Sequence, residues 1–267
     1  MVTTTLFERF LVTAAREYAD EDVAFVGFHW PMLAARIARR THAPNLVAVY
    51  ESGVVEDAAT PTLSTSPSDL RAAVGSPYWG TCFDALCGWL ARGRVTRTVL
   101  GAPIVDRRGN VNTTVVGDYD APRVRLPGSG GGTELAALGR GLTLLSTSTS
   151  ARGFPRRIVD YITSPGYLRE PGERRAHGYP DGTGPKVLIT PLGRFAVNDA
   201  DGITADALHT GVTWAQAREC FTWFPAEPPA SLRVLPDPSE QELAAAHAVL
   251  DEARASHYLL PGEGRAA

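Results

Sequence analysis

The chain has 267 residues, enough for one large domain or two small ones with a sizeable core. Hydrophobic residues make up 44% and charged residues 21%, the balance of a water-soluble globular protein. The formal net charge of -3 argues against strong bulk attraction to nucleic acid or an acidic membrane. No run reaches the roughly 18 apolar residues that a membrane span needs. The opening stretch MVTTTLFERFLVTAAREYADED carries acids and arginines where a signal peptide would need an apolar run, so the expected location is the cytoplasm.

In chain order, LFERFLVTAAREYA (6–19) has helical periodicity, and DVAFVGF (22–28) is a short β-rich run. PMLAARIARRT (31–41) opens with a proline suited to the first helical turn and ends near basic residues. NLVAVY (45–50) is almost wholly apolar, as expected of a strand buried on both faces of a parallel sheet. Residues 54–80, rich in Ser, Thr and Pro, read as a long ordered loop with one helical turn near Asp69 to Ala73. TCFDALCGWLARG (81–93) predicts a helix stopped by Gly93. Strands are expected at 95–106 and 111–117, with RRGN (107–110) as the turn between them.

The second half continues with a strand, a glycine run and a short helix over 122–141, then a strand at LTLLSTS (142–148). PRRIVDYITSPGY (155–167) is β-branched and ends in a Ser-Pro-Gly turn, and 168–185 is a polar, glycine-rich surface excursion. KVLITPLGRFAVN (186–198) and SLRVLPDP (231–238) read as late strands. Residues 239–259 predict a C-terminal helix in which Ser239 and Glu242 form a capping box. The sum is an α/β fold: an open, mainly parallel central sheet flanked by helices, with an antiparallel addition. The expected organisation is a single domain over 1–267 with a loose tail from about 261.

Glu51 follows the apolar strand directly and precedes Ser52 and Gly53. Ligands in open α/β sheets gather beyond the carboxyl ends of strands, so a carboxylate there suits a nucleophile, a base or a metal ligand, or else a solvated acid that caps a turn. Gly128, Ser129, Gly130, Gly131 and Gly132 lie between a strand and a short helix. Such a run turns backbone N–H groups toward an oxyanion or phosphate, or forms a flexible tight turn. No Lys-Ser or Lys-Thr follows it, so it is not a P-loop, and it lacks the dinucleotide-binding spacing. Asn110, Asn112, Thr113 and Thr114 either face a cleft or satisfy a turn. No histidine pair has metal-ligand spacing, and no metal is expected. Cys82, Cys87 and Cys220 read as buried small hydrophobes. The arginine groups Arg36, Arg39, Arg40, then Arg92, Arg94, Arg97, and Arg174 with Arg175 read as solvated faces.

Tyr50-Glu51-Ser52-Gly53-Val54, GAPIVDRRGNVNTTVVGDYDAPRVRLPGSGGG (101–132), VDYITSPGY (159–167) and HTGVT (209–213) occur in an order that resembles the β subunits of the class I coenzyme A-transferase family, glutaconate type. The resemblance runs from about residue 6 to about 255. CFTWFPAEPPA (220–230) departs from the usual ending after HTGVT. The resemblance implies a ping-pong acyl transfer through a covalent glutamyl-CoA thioester, with Glu51 as nucleophile. It further implies that Gly130 and Gly131 donate to the oxyanion. Ser52, Gly53, Asn112, Gly128 and Ser129 would line the site for the CoA thioester, which is substrate and not a permanently bound cofactor. The implied partner is an α-type subunit, in a heterodimer or dimer of heterodimers, with no nucleic acid and no membrane involved. Family members that hydrolyse CoA thioesters, or open a ring in a CoA-linked steroid fragment, are the alternative, together with a non-catalytic subunit. The β-chain glutamate is missing from the ring-opening relatives and is present here.

Overall fold

The computed structural model describes residues 4–58, 60, 63–66 and 69–260. The expected tail from about 261 lies outside them. The chain divides into two compact units, residues 1–97 with 238–267, and residues 98–237.

In the first unit, helix α1 (Leu6–Ala15) starts at Thr5, whose hydroxyl accepts from the Glu8 amide while the Glu8 carboxylate accepts from the Thr5 amide. Strand β1 (Val23–Val26) pairs in parallel with β2 (Val47–Val49), aligning Val23 with Val47 and Phe25 with Val49. Between them runs helix α2 (Trp30–Thr41), with Pro31 in its first turn. Two antiparallel strands follow, β3 (Val54–Glu56) and β4 (Tyr78–Trp79), both inside the segment read as a loop. The helical turn expected near Asp69 is a 3₁₀ helix, Leu70–Ala73, capped by the Asp69 side chain.

The helix expected at 81–93 is π-helical over Asp84–Leu90. Its wide turn buries Ala85 and Leu90 and leaves Cys82 and Cys87 exposed, which corrects the expectation of three buried cysteines; only Cys220 is buried.

The C-terminal helix, Glu240–Ala255, has the expected Ser239/Glu242 capping box and packs on α1 and α2. Arg16 donates to both Glu242 oxygens, at 2.7 and 2.8 Å. That fork, with the cap amide, holds the Glu242 carboxyl down at about 2, against an ordinary 4.5. A depressed carboxyl stabilises the fold above its unfolded value and stops doing so as pH falls through its folded value. Glu242→Gln is therefore expected to lower Tm at neutral pH, with the difference from wild type shrinking as pH drops from 4.5 toward about 2 in calorimetry. A pH-independent difference would contradict this.

The second unit orders its strands β5 (Arg97–Gly101), β8 (Leu142–Leu145), β9 (Pro185–Thr190), β10 (Gly193–Asn198), β11 (Gly202–Leu208) and β12 (Arg233–Val234). The β5–β8 and β8–β9 pairings are parallel, and β9–β10–β11 is an antiparallel meander. A separate antiparallel pair joins β6 (Val115–Gly117) to β7 (Pro122–Arg125). The α/β class expected from the sequence is the one observed, with parallel interior pairings, flanking helices and an antiparallel addition. The core of this unit gathers Phe154, Phe195, Phe221 and Phe224 around Leu188 and Leu144, beside helix α5 (Trp214–Cys220).

The glycine run leads into helix α3 (Gly132–Leu138), and the polar excursion contains the short helix α4 (Glu173–Ala176). Arg174 there is buried, contrary to its reading as part of a solvated face. Its guanidinium donates to the Ala136 and Ala137 carbonyls at the end of α3, to the Pro165 and Gly166 carbonyls, and to the Thr183 hydroxyl. Orphan helix-end carbonyls and a buried cation thus satisfy each other.

Candidate active site

Glu51 sits at the tip of the β2–β3 hairpin. The Tyr50 amide donates to the Val54 carbonyl and the Gly53 amide to the Tyr50 carbonyl, both at 2.9 Å. Glu51 and Ser52 are thereby the central residues of a tight turn, and Gly53 follows at φ +92°. This is the three-residue hairpin loop in which a left-handed glycine completes the bulge. Because β2 lies between β1 and β3, the carboxylate stands at the carboxyl end of an interior strand, as expected. Glu51 is half-buried, and its side chain makes no hydrogen bond or ion pair among the described residues.

The turn rests on the backbone that follows β4. The Gly80 amide donates to the Gly53 carbonyl at 2.9 Å, and a Cβ at Gly53 would lie 2.5 Å from the Gly80 carbonyl carbon. Gly53→Ala thus meets both a disfavoured φ and a backbone clash. It is expected to cost about 1–3 kcal/mol in a urea unfolding series, and an unchanged midpoint would contradict that contact.

Beneath the turn is a charged cluster missed by sequence reasoning. Glu56 is 2% exposed and accepts from the Tyr50 hydroxyl at 2.5 Å and the Thr60 amide at 3.2 Å. Arg39 lies 3.1 Å and Arg36 3.8 Å from its carboxylate. Arg36 and Arg39 are therefore buried partners and not a solvated face. Their signal was the pairing of two arginines, three apart on one helix, with an acid in a β-branched run.

His29 is a second residue that sequence reasoning did not single out. It lies at φ +66°, just past the carboxyl end of β1, the strand beside β2. Its ring touches Trp30 and Tyr258, and burial lowers its pKa. A non-glycine residue in that conformation is uncommon.

The glycine run lies in the second unit. Gly128 and Gly130 adopt φ +102° and +48°, and Gly131 stands at the start of α3. The Gly128 amide donates to the Thr113 carbonyl at 2.7 Å and the Gly132 amide to the Ser129 carbonyl at 2.8 Å. Ser129, Gly130 and Gly131 donate their amides to no protein acceptor among the described residues. The run is braced from below: a Cβ at Gly132 would come within 3.1 Å of the Ser164 hydroxyl, and Thr133 donates to the Thr163 carbonyl.

Asn112 is buried. Its amide nitrogen donates to the Val115 carbonyl at 2.6 Å, and its oxygen accepts from the Thr114 and Val115 amides. The side chain is spent on its own turn and shapes the Thr113–Thr114 segment on which Gly128 hangs. Asp106 and Asn110 form a second buried network. Asp106 accepts from the Arg108, Asn110 and Val159 amides and from the Asn110 side chain, yet burial pushes its carboxyl up. No group of three or more His, Cys, Asp or Glu suited to a metal occurs among the described residues.

Residues 7–177 match the model of the coenzyme A transferase family. The chain belongs to that family. It is 36% identical over 258 residues to the β-type subunit of 3-oxoadipate CoA-transferase from Pseudomonas knackmussii, spanning 96% of this chain and 97% of that one. Glutaconate CoA-transferase of Acidaminococcus fermentans superposes with a TM-score of 0.76 at 26% identity, covering 97% and 96% of the two chains. The decarboxylase AibA/AibB superposes with a TM-score of 0.74 at 30% identity, covering 92% and 95%. Among CoA transferases this chain is a β-type subunit, related to the β-type subunits of the 3-oxoadipate and glutaconate enzymes. No described helix is long and apolar enough to cross a membrane.

Proposed function

We propose that this chain is the β half of a two-subunit enzyme that moves CoA between an acyl-CoA and a carboxylic acid through a thioester on Glu51. The observation that carries the reading is a half-buried carboxylate, without a hydrogen bond or ion pair among the described residues, presented on a tight turn at the end of a parallel strand in a CoA-transferase chain. A carboxylate engaged in an ion pair would have to break it before attacking. This one is available.

In the proposed cycle, the Glu51 carboxylate attacks the thioester carbonyl and CoA thiolate leaves, giving a mixed anhydride. The thiolate then attacks the Glu51 carbonyl, which releases the donor acid and leaves CoA on Glu51. An acceptor carboxylate reverses both steps. Each addition creates an oxyanion of the kind that backbone amides stabilise; in the second unit the Ser129, Gly130 and Gly131 amides donate to no protein acceptor among the described residues. Ser52 and Gly53 shape the Glu51 turn, Gly128 shapes the glycine run, and Asn112 acts by holding the turn behind Gly128.

The α-type partner is proposed to complete the site. Tyr78, Trp79 and Phe83 are 44%, 63% and 72% exposed on the segment that carries the Glu51 turn, an apolar surface in keeping with a subunit contact. A decarboxylase shares this fold, so the fold alone does not name the reaction; the carboxylate of Glu51 favours transfer.

The test is a borohydride trap. Acyl-CoA is added to the enzyme assembled with its partner, and the peptide containing residue 51 is weighed after reduction. A glutamyl thioester is reduced to the alcohol, a loss of about 14 Da, the exchange of one oxygen for two hydrogens at the acyl-enzyme carbon. An unmodified peptide under active turnover contradicts the mechanism. Trapping with CoA released to water, and none passed to an acid, reassigns the enzyme as a thioester hydrolase.

A further inference from the structure

We infer that Tyr50 and Glu56 are positioning residues for the Glu51 nucleophile, acting by locking the register of the β2–β3 hairpin. The inference rests on the reading of Glu51 given above.

Tyr50 and Glu56 face each other diagonally across the hairpin, since Ala48 pairs with Glu56 and Val49 with Val55. Both are 2% exposed, and the phenol donates to the Glu56 carboxylate at 2.5 Å. Glu56 in turn meets Arg39, Arg36 and the Thr60 amide. Arg39 also donates to the Leu46 carbonyl at 2.8 Å, just before β2, and to the Glu56 carbonyl in β3. Arg36 donates to the Thr60 carbonyl and hydroxyl, and reaches Glu252 on the C-terminal helix. One carboxylate thereby ties both hairpin strands to helix α2, and Arg36 extends the cluster to the C-terminal helix.

Such a cluster is a poor route to stability. Taking these charges out of water is costly, and well-packed apolar residues of the same volume commonly do as well. What it supplies is uniqueness. The strands beside the turn are three residues long, and Val49, Val54 and Val55 are interchangeable in size and polarity, so apolar packing alone specifies their alignment weakly. A slip of one residue would turn every side chain to the opposite face and carry Glu51 out of its place on the turn. Only the native alignment puts the phenol on the Glu56 carboxylate and that carboxylate on two guanidinium groups.

The experiment uses enzyme assembled with its partner subunit and measures single-turnover trapping at residue 51 with acetyl-CoA as probe. Both the rate constant and the final trapped fraction are followed. Tyr50→Phe removes one hydroxyl and keeps the ring. It is expected to slow the rate constant by about 10- to 100-fold, the range that follows from misplacing a reacting group by up to about 1 Å, while the final trapped fraction stays at the wild-type level. Glu56→Gln, which keeps an acceptor for Tyr50 but loses the charge, is expected to slow it at least as much. A purely structural role predicts the reverse pattern, a smaller trapped fraction with an unchanged rate constant, and that result overturns the inference. A wild-type rate constant in Tyr50→Phe, with wild-type Glu51 trapped normally, overturns it while leaving the Glu51 reading intact. Absence of trapping in the wild-type enzyme removes both.

Discussion

Glu51→Gln is expected to lower transfer by about four orders of magnitude or more, with thermal stability close to wild type. The amide matches the carboxylate in size and sits on the same turn, so hairpin packing against Gly80 is preserved. It cannot supply the attacking oxyanion. At 1.36 kcal/mol per tenfold, such a loss corresponds to roughly 5 kcal/mol of transition-state stabilisation. Stability is spared because, among the described residues, Glu51 makes no hydrogen bond or ion pair that the substitution would break. Glu51→Asp retracts the carboxylate by one methylene and is expected to cost about 100-fold in kcat/KM while retaining trapping at residue 51. The check is steady-state transfer between two acids alongside calorimetry. Near-normal transfer by the Gln variant contradicts the nucleophile assignment, whereas a collapse in Tm would show that Glu51 holds the fold.

The second large effect is on stability. Phe221 is fully buried, and its ring lies 4.4 Å from Phe195, 4.5 Å from Phe154 and 4.9 Å from Phe224, with Trp223 edge-on at 5.4 Å. Phe221→Ala removes the ring at the centre of this cluster. The neighbours lie on β10, next to α5 and in loops, and cannot close together without shifting those elements, so a cavity is expected to remain. The cost is about 3–5 kcal/mol, read as a drop in the chemical unfolding midpoint of the second unit. A loss below about 1 kcal/mol would mean that the aromatic cluster repacks.

Elements marked by local chemistry were legible in the sequence. The Ser239/Glu242 box set the start of the last helix, Pro31 marked α2, and the apolar run before Glu51 located its strand. Elements defined by partners elsewhere in the chain were not. β3 hid in a Ser-, Thr- and Pro-rich stretch because three residues are too few to show alternation. KVLITPLGRFAVN read as one strand, yet Thr190 and Gly193 bracket a tight turn that makes it two. β11 and helix α5 stand outside the expected elements, although Thr213 and Gln216 form a capping box at the start of α5. At the site, the position of Glu51 on a strand end was legible. The Tyr50–Glu56–Arg39 cluster was not, since its arginines belong to one helix and their acid to a strand that had not been recognised.

Arg174 has a practical consequence. It fastens the excursion at one point to the end of α3 and at another to Thr183, while His177, Gly178, Asp181 and Gly182 between those fastenings face solvent. Gly178 and Gly182 already adopt left-handed conformations, and a side chain added at either would meet open space. Foreign sequence spliced in after Gly178 would lengthen a loop whose two feet stay bolted down, at an entropic cost of only about 0.6 kcal/mol per doubling of length. The tip of this excursion is therefore a ready-made mounting point for a fluorophore or affinity handle.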